Sequence, residues 1–171
     1  MGDVFKEQIV KRQSTIKDTA IRVCLWILVA VLGFAASTYL GPQLGLLVLF
    51  GAGFGAFFLM SFLNVEYEYI FTNGELDIDV IYNQSRRKRL FTAHVKSFEI
   101  MAHIDDTNHD STFKSAQETR DYSSGVPGKN TYAFLAIYEG KKVTVIFEPN
   151  EKILKSISGV INPRKLHKKG E

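Results

Sequence analysis

The chain has almost no cysteine. Cys24 is the only one in 171 residues, which rules out an intramolecular disulfide and any metal centre built from several thiolates. A chain without disulfides suits a reducing compartment. Motifs for nucleotides are missing as well: there is no P-loop and no G-x-G-x-x-G, and the glycine-rich Gly51-Ala52-Gly53-Phe54-Gly55 lies in an apolar stretch. Ser123-Ser124-Gly125 lacks the strand–turn–helix setting of a nucleophile elbow. The net charge of +3, from 21 basic and 18 acidic residues, is too small an excess to indicate nucleic acid. No enzyme activity and no cofactor is expected from these absences.

The most informative absence is local. Between Arg22 and Glu66 there are 43 residues without one Asp, Glu, Lys or Arg. Val23 to Leu40 and Leu44 to Leu63 are each apolar over about the 20 residues that cross a bilayer as a helix. Gly41-Pro42-Gln43 breaks the run and turns the chain, so the spacing predicts an antiparallel transmembrane hairpin with spans 23–40 and 44–63. A cleaved signal peptide fits less well, because the apolar run is long and 22 residues precede it. Lys6, Lys11, Arg12, Lys17 and Arg22 precede the hairpin and Arg86 to Arg89 follow it, while the link carries no charge. By the positive-inside rule the protein is expected in the cell membrane, two-pass, with both termini cytoplasmic.

Residues 1–22 read as a cytoplasmic segment. Phe5, Ile9, Ile16 and Ala20 share one helical face, which suggests an amphipathic helix on the inner leaflet; a plain extension of the first span is the alternative. From Glu66 the period changes to two. Tyr67, Tyr69 and Phe71 alternate with Glu66, Glu68 and Ile70. Asn73-Gly74 then signals a hairpin, and Leu76, Ile78 and Val80 alternate with Asp77 and Asp79. A turn at Asn83-Gln84-Ser85 and strands near 86–92 and 95–101 complete a predicted four-stranded meander. Residues 102–131 show no period, and such a long loop is unusual in a small domain, so it is either mobile, functional, or hides a short element near Thr119 to Tyr122. Strands follow at 132–138 and 142–147. Asn150 then caps a helix with Ile153, Leu154, Ile157, Val160 and Ile161 on one face, ended by Pro163. The expectation is an α+β protein: a two-helix transmembrane hairpin, then a soluble domain over 66–162 with a long loop at 102–131, closed by a C-terminal helix, and a loose basic tail at 163–171.

The run Asn64-Val65-Glu66-Tyr67-Glu68-Tyr69-Ile70-Phe71-Thr72-Asn73-Gly74-Glu75-Leu76-Asp77-Ile78-Asp79, with the basic strand and Phe98-Glu99-Ile100-Met101, resembles an uncharacterised family of two-helix membrane proteins from Firmicutes-type bacteria, a domain of unknown function. More distantly, the aromatic strand, Thr-Asn turn, alternating strand and basic strand resemble bacterial PH-like domains. That resemblance implies a barrel or sheet closed by a helix, and a binding or assembly module rather than an enzyme. Acidic Glu75, Asp77 and Asp79 and the long loop depart from that pattern, which puts any transferred ligand site in doubt.

Three surfaces stand out. Arg86, Arg87, Lys88 and Arg89 could contact anionic lipid, although a turn at Gln84 would set Asp79 opposite Arg89 and pair part of the cluster. Gly51 and Gly55 form a GxxxG pair, and Gly33 and Ser37 have the same spacing. Both suit helix packing, within the hairpin or against a homo-oligomer or a membrane protein partner. His103, Asp105, Asp106, His109 and Asp110 are the only His/carboxylate cluster, and solvated loop charge explains them better than a metal. The leading expectation is a membrane-tethered binding or scaffolding module. An accessory subunit of a membrane complex is the alternative, and an enzyme using the 102–131 loop is a third reading.

Overall fold

The computed structural model describes residues 4–106, 112–126, 128 and 130–167. The chain divides into a helical unit, Ser14–Val65 with Tyr82–Arg86, and a second unit that carries the sheets. The expected α+β plan holds.

The helical unit consists of α1 (Ile16–Leu40) and α2 (Pro42–Ser61). Both are long and apolar enough to cross a membrane. α1 starts before the apolar run because Thr15 and Asp18 form a capping box. The Thr15 hydroxyl accepts from the Asp18 backbone N–H at 3.3 Å, and the Asp18 carboxylate accepts from the Thr15 N–H at 2.9 Å. Gly41 alone links the helices, at φ 90° and ψ 160°, where a side chain would be strained. The three-residue link Gly41-Pro42-Gln43 expected from the sequence is shorter in the structure and does not include Pro42. It is the first residue of α2, where its missing N–H costs nothing.

The first sheet has the order β1-β2-β3-β4, with β1 (Phe5–Lys11), β2 (Val65–Thr72), β3 (Glu75–Tyr82) and β4 (Arg86–His94). Two of the sequence expectations are corrected here. The N-terminal segment is not an amphipathic helix: residues 5–11 form a strand antiparallel to β2, from Phe5 opposite Thr72 to Lys11 opposite Glu66. Phe5 and Ile9 misled because a spacing of four puts residues on one side of a helix and on one face of a strand alike. The fourth strand of the sheet is thus β1, not residues 95–101. After β4, His94 caps a 3-10 turn at Val95–Ser97, its Nδ1 accepting from the Lys96 N–H at 3.3 Å, and the chain leaves the first sheet. The β2–β3 hairpin turns at Asn73 and Gly74, with φ of 50° and 96°, the left-handed conformations this pair favours.

The second sheet has the order β6-β8-β7-β5-β9, with β5 (Ile100–His103), β6 (Glu118–Asp121), β7 (Tyr132–Tyr138), β8 (Lys141–Phe147) and β9 (Leu166–His167). The element sought near 119–122 is β6, which runs parallel to β8. The tail is not wholly loose, since β9 pairs in parallel with β5. α3 (Glu151–Ser158) starts at Asn150, whose side chain accepts from the Ile153 N–H at 2.9 Å. The helix ends at Ser158 rather than at Pro163 as expected; Ile153 and Ile157 bury its apolar face, and Ile161 beyond its end joins them, with Tyr69, Phe71, Phe91, Phe98, Phe134 and Phe147 in one core.

Candidate functional site

The basic strand is largely engaged. Arg87 pairs with the buried Glu68 at 3.0 Å. Arg89 bridges Asp77, at 2.7 Å, and Asp79. These acidic residues, which depart from the expected pattern, therefore hold the basic strand β4; Asp77 also accepts from the Thr92 hydroxyl at 2.7 Å. Burial lowers the Arg89 pKa, but the hydrogen bond to Asp79 and the charges of Asp77 and Asp79 outweigh it, and the net shift is upward. In the helical unit the Arg86 guanidinium lies 5.9 and 5.8 Å from the ring centres of Phe58 and Phe62, and Phe62 meets Tyr82 edge to face. A cation among aromatic rings at a helix end is the composition of a membrane–water boundary. Lys88 is exposed and, among the described residues, has no ion pair.

Glu68 carries a pH signature. Burial raises its pKa above the ordinary 4.5, opposed by Arg87 and reinforced by Asp79 and Glu7. The folded state holds this proton to higher pH than the unfolded chain does. Its contribution to stability is therefore fully present below the ordinary value and is lost as pH rises through the raised one. Glu68→Gln is expected to flatten that fall in melting temperature as pH rises above the ordinary carboxylate value. Thermal melts of the full chain in detergent across this rise in pH check it. An unchanged slope would mean that Glu68 is not the titrating group.

A second feature joins residues far apart in sequence. A groove of 620 Å³ lies between β1 and α3, lined by Val4, Lys6, Phe71, the Asn73-Gly74 turn, Lys152, Lys155, Ser156, Gly159 and Val160. Gln8 fixes the two walls together: its side-chain N–H donates to the Glu148 carbonyl at 2.8 Å, and its side-chain carbonyl accepts from the Asn150 N–H at 2.6 Å. Phe71 and Val160 give an apolar floor, and three lysines stand at the rim. Sequence reasoning missed this groove because Lys6 was assigned to a helix. The one available signal was Lys152 and Lys155, three apart beside the apolar stripe of α3.

In the hairpin the close approach is made at Gly33 and Ser37, as their spacing suggested, and at Gly45, which the sequence did not single out. A Cβ on Gly33 would lie 2.6 Å from Leu49 Cδ1, and one on Gly45 would lie 2.6 Å from Ser37 Cα. Over Gly51 and Gly55 there is open space to at least 4 Å. Gly33 and Ser37 thus face α2, whereas the Gly51/Gly55 pair does not pack inside the hairpin.

Of the His/carboxylate cluster, His103 is fully buried beside Tyr132, and its Nδ1 accepts from the Asp105 N–H at 3.1 Å. His109 and Asp110 lie outside the described residues. Among the described residues no group of three or more His, Cys, Asp or Glu side chains is placed to hold a metal.

Two sheets sharing one aromatic core, with a C-terminal amphipathic helix packed into it, define a PH-like class of binding or scaffold module. The chain belongs to the bacterial PH-like domain family DUF6106, whose model matches residues 2–168 and so takes in the two long helices as well as the sheets. No curated protein and no solved structure matches the chain.

Proposed function

We propose that this protein is a non-enzymatic binding module anchored in the cell membrane by α1 and α2, with both termini in the cytoplasm, that holds a protein partner at the inner leaflet. One observation carries this reading. The two long apolar helices are inserted between β1 and β2, which pair along seven residues in one sheet. A hairpin threaded through the module's own sheet is an anchor rather than a leader to be removed. The links from β1 to α1 and from α2 to β2 are residues 12–15 and 62–64, too short to let the module leave the surface in which the helices are embedded. The lysines and arginines on both sides of the hairpin favour the cytoplasmic orientation. The buried Asp79 and Tyr69 are engaged in structural contacts within the sheets, which suits binding better than catalysis.

In this reading anionic lipid assists through Lys88 and Arg86, with Arg87 and Arg89 committed mainly to the sheet. With Cys24 replaced by alanine, an environment-sensitive dye on Lys96→Cys is expected to shift when the full chain moves from zwitterionic to anionic nanodiscs. The shift should shrink with salt and with Lys88→Ala. A dye indifferent to lipid charge would confine the basic strand to pairing within the sheet. A second reading, an accessory subunit of a membrane complex, is favoured by the open space over Gly51 and Gly55, which leaves that face of α2 available to another helix.

A further inference from the structure

We propose that the groove between β1 and α3 docks an extended acidic segment of a partner protein. The inference rests on the reading of the module as one that holds a protein partner, and it assigns the chemistry of that partner. Lys6, Lys152 and Lys155 converge on the groove, and among the described residues none of them has an ion pair and no carboxylate lines it. Three unneutralised ammonium groups around an apolar floor select a ligand that carries carboxylates beside apolar side chains.

The wall of the groove suits an extended chain. β1 is the end strand of the first sheet among the described residues, and the groove lies over the face on which Lys6 stands beside Phe71, with α3 as its other wall. An edge strand offers its backbone to an incoming extended chain, whose alternate side chains then fall toward the helix. Gln8 closes one end by its bonds to Glu148 and Asn150, so an incoming segment enters beside Val4 and Lys6. The volume of 620 Å³ is within the range of about 300–1,000 Å³ common to ligand clefts.

A library of random decapeptides, selected on the full chain in zwitterionic nanodiscs, tests this. The expected result is enrichment of peptides with Asp or Glu at alternate positions around apolar residues, bound in a salt-sensitive way. Lys152→Glu with Lys155→Glu should weaken the selected peptides at least tenfold, and Ser156→Trp, which fills the groove without changing charge, should do the same. Selection of peptides without acidic bias, or equal binding by both variants, would overturn the proposal. So would displacement of the peptides on raising the phosphatidylglycerol content of the nanodisc together with lipid-induced shifts of the groove amides, since the occupant would then be a lipid headgroup. A failure here leaves the topology of the anchor untouched. A failure of the anchor reading would appear in cysteine labelling and not in the peptide selection.

Discussion

Gly45→Leu is expected to separate the two long helices. The backbone of Ser37 stands where the new Cβ would go, 2.6 Å from Ser37 Cα, so no rotation of a side chain relieves the overlap and the helix axes must move apart. The geometry also supplies the assay. An added Cβ on Gly33 would lie 3.2 Å from Leu49 Cβ, close to the separation a disulfide spans. With Cys24 replaced by alanine, Gly33→Cys and Leu49→Cys should cross-link readily under oxidation, and adding Gly45→Leu should reduce the yield severalfold. Gly51→Leu with Gly55→Leu should leave the yield unchanged, because nothing in the hairpin faces those positions. The same double variant then reports on a neighbour alone: loss of a co-purifying membrane protein or of a homo-oligomer would favour the accessory-subunit reading. Equal loss of cross-linking in both variants would mean that the helices pack through a different face.

Tyr69→Phe is expected to destabilise the sheets by roughly 2–4 kcal/mol, a fall in melting temperature of about 10 °C or more. The ring packs edge to face on Phe147 with centres 5.6 Å apart, and phenylalanine keeps that contact. The hydroxyl is the difference. It donates to the Tyr122 carbonyl at 2.5 Å and accepts from the Glu148 N–H at 3.2 Å, so a strand of the first sheet is tied to the ends of β6 and β8 in the second. Its removal leaves two backbone groups without this partner where water does not replace it readily. Burial raises the Tyr69 pKa well above the ordinary 10, so the hydroxyl stays protonated and donating at any pH the fold tolerates. Thermal melts of the full chain in detergent check the figure. A change within about 0.5 kcal/mol would mean that the two sheets are not joined through this hydroxyl.

How much of this was legible in the sequence depends on the range of the interaction involved. The helices, the Asn73-Gly74 hairpin, the Asn150 cap and the apolar face of α3 are set by residues within a few positions of one another. Each was read from its own stretch. The pairing of Arg89 with Asp79 was legible too, because a three-residue turn at Asn83-Gln84-Ser85 fixes the register across it. β1 was not, because what makes Phe5–Lys11 a strand is β2, more than fifty residues away and beyond the hairpin, while its own spacing suits helix and strand equally. The lysine groove follows β1 into obscurity, since it forms only when that strand meets α3. The Gly51/Gly55 pair was legible as a pattern but not as a direction: a motif shows that a close approach is allowed, and only the packing of Gly33 and Gly45 shows which face of α2 turns toward α1.

The central claim is that the hairpin is an anchor whose flanking strands share one sheet on the cytoplasmic side. With Cys24 replaced by alanine, single cysteines at Phe5 in β1, Lys141 in β8 and Gln43 beside the helix link, each tried alone in intact cells with a membrane-impermeant maleimide, address it directly. The account predicts that Gln43→Cys is labelled from outside, and that Phe5→Cys and Lys141→Cys are labelled only after the membrane is opened. Labelling of Phe5→Cys and Lys141→Cys from opposite sides, or of both from outside, would contradict it.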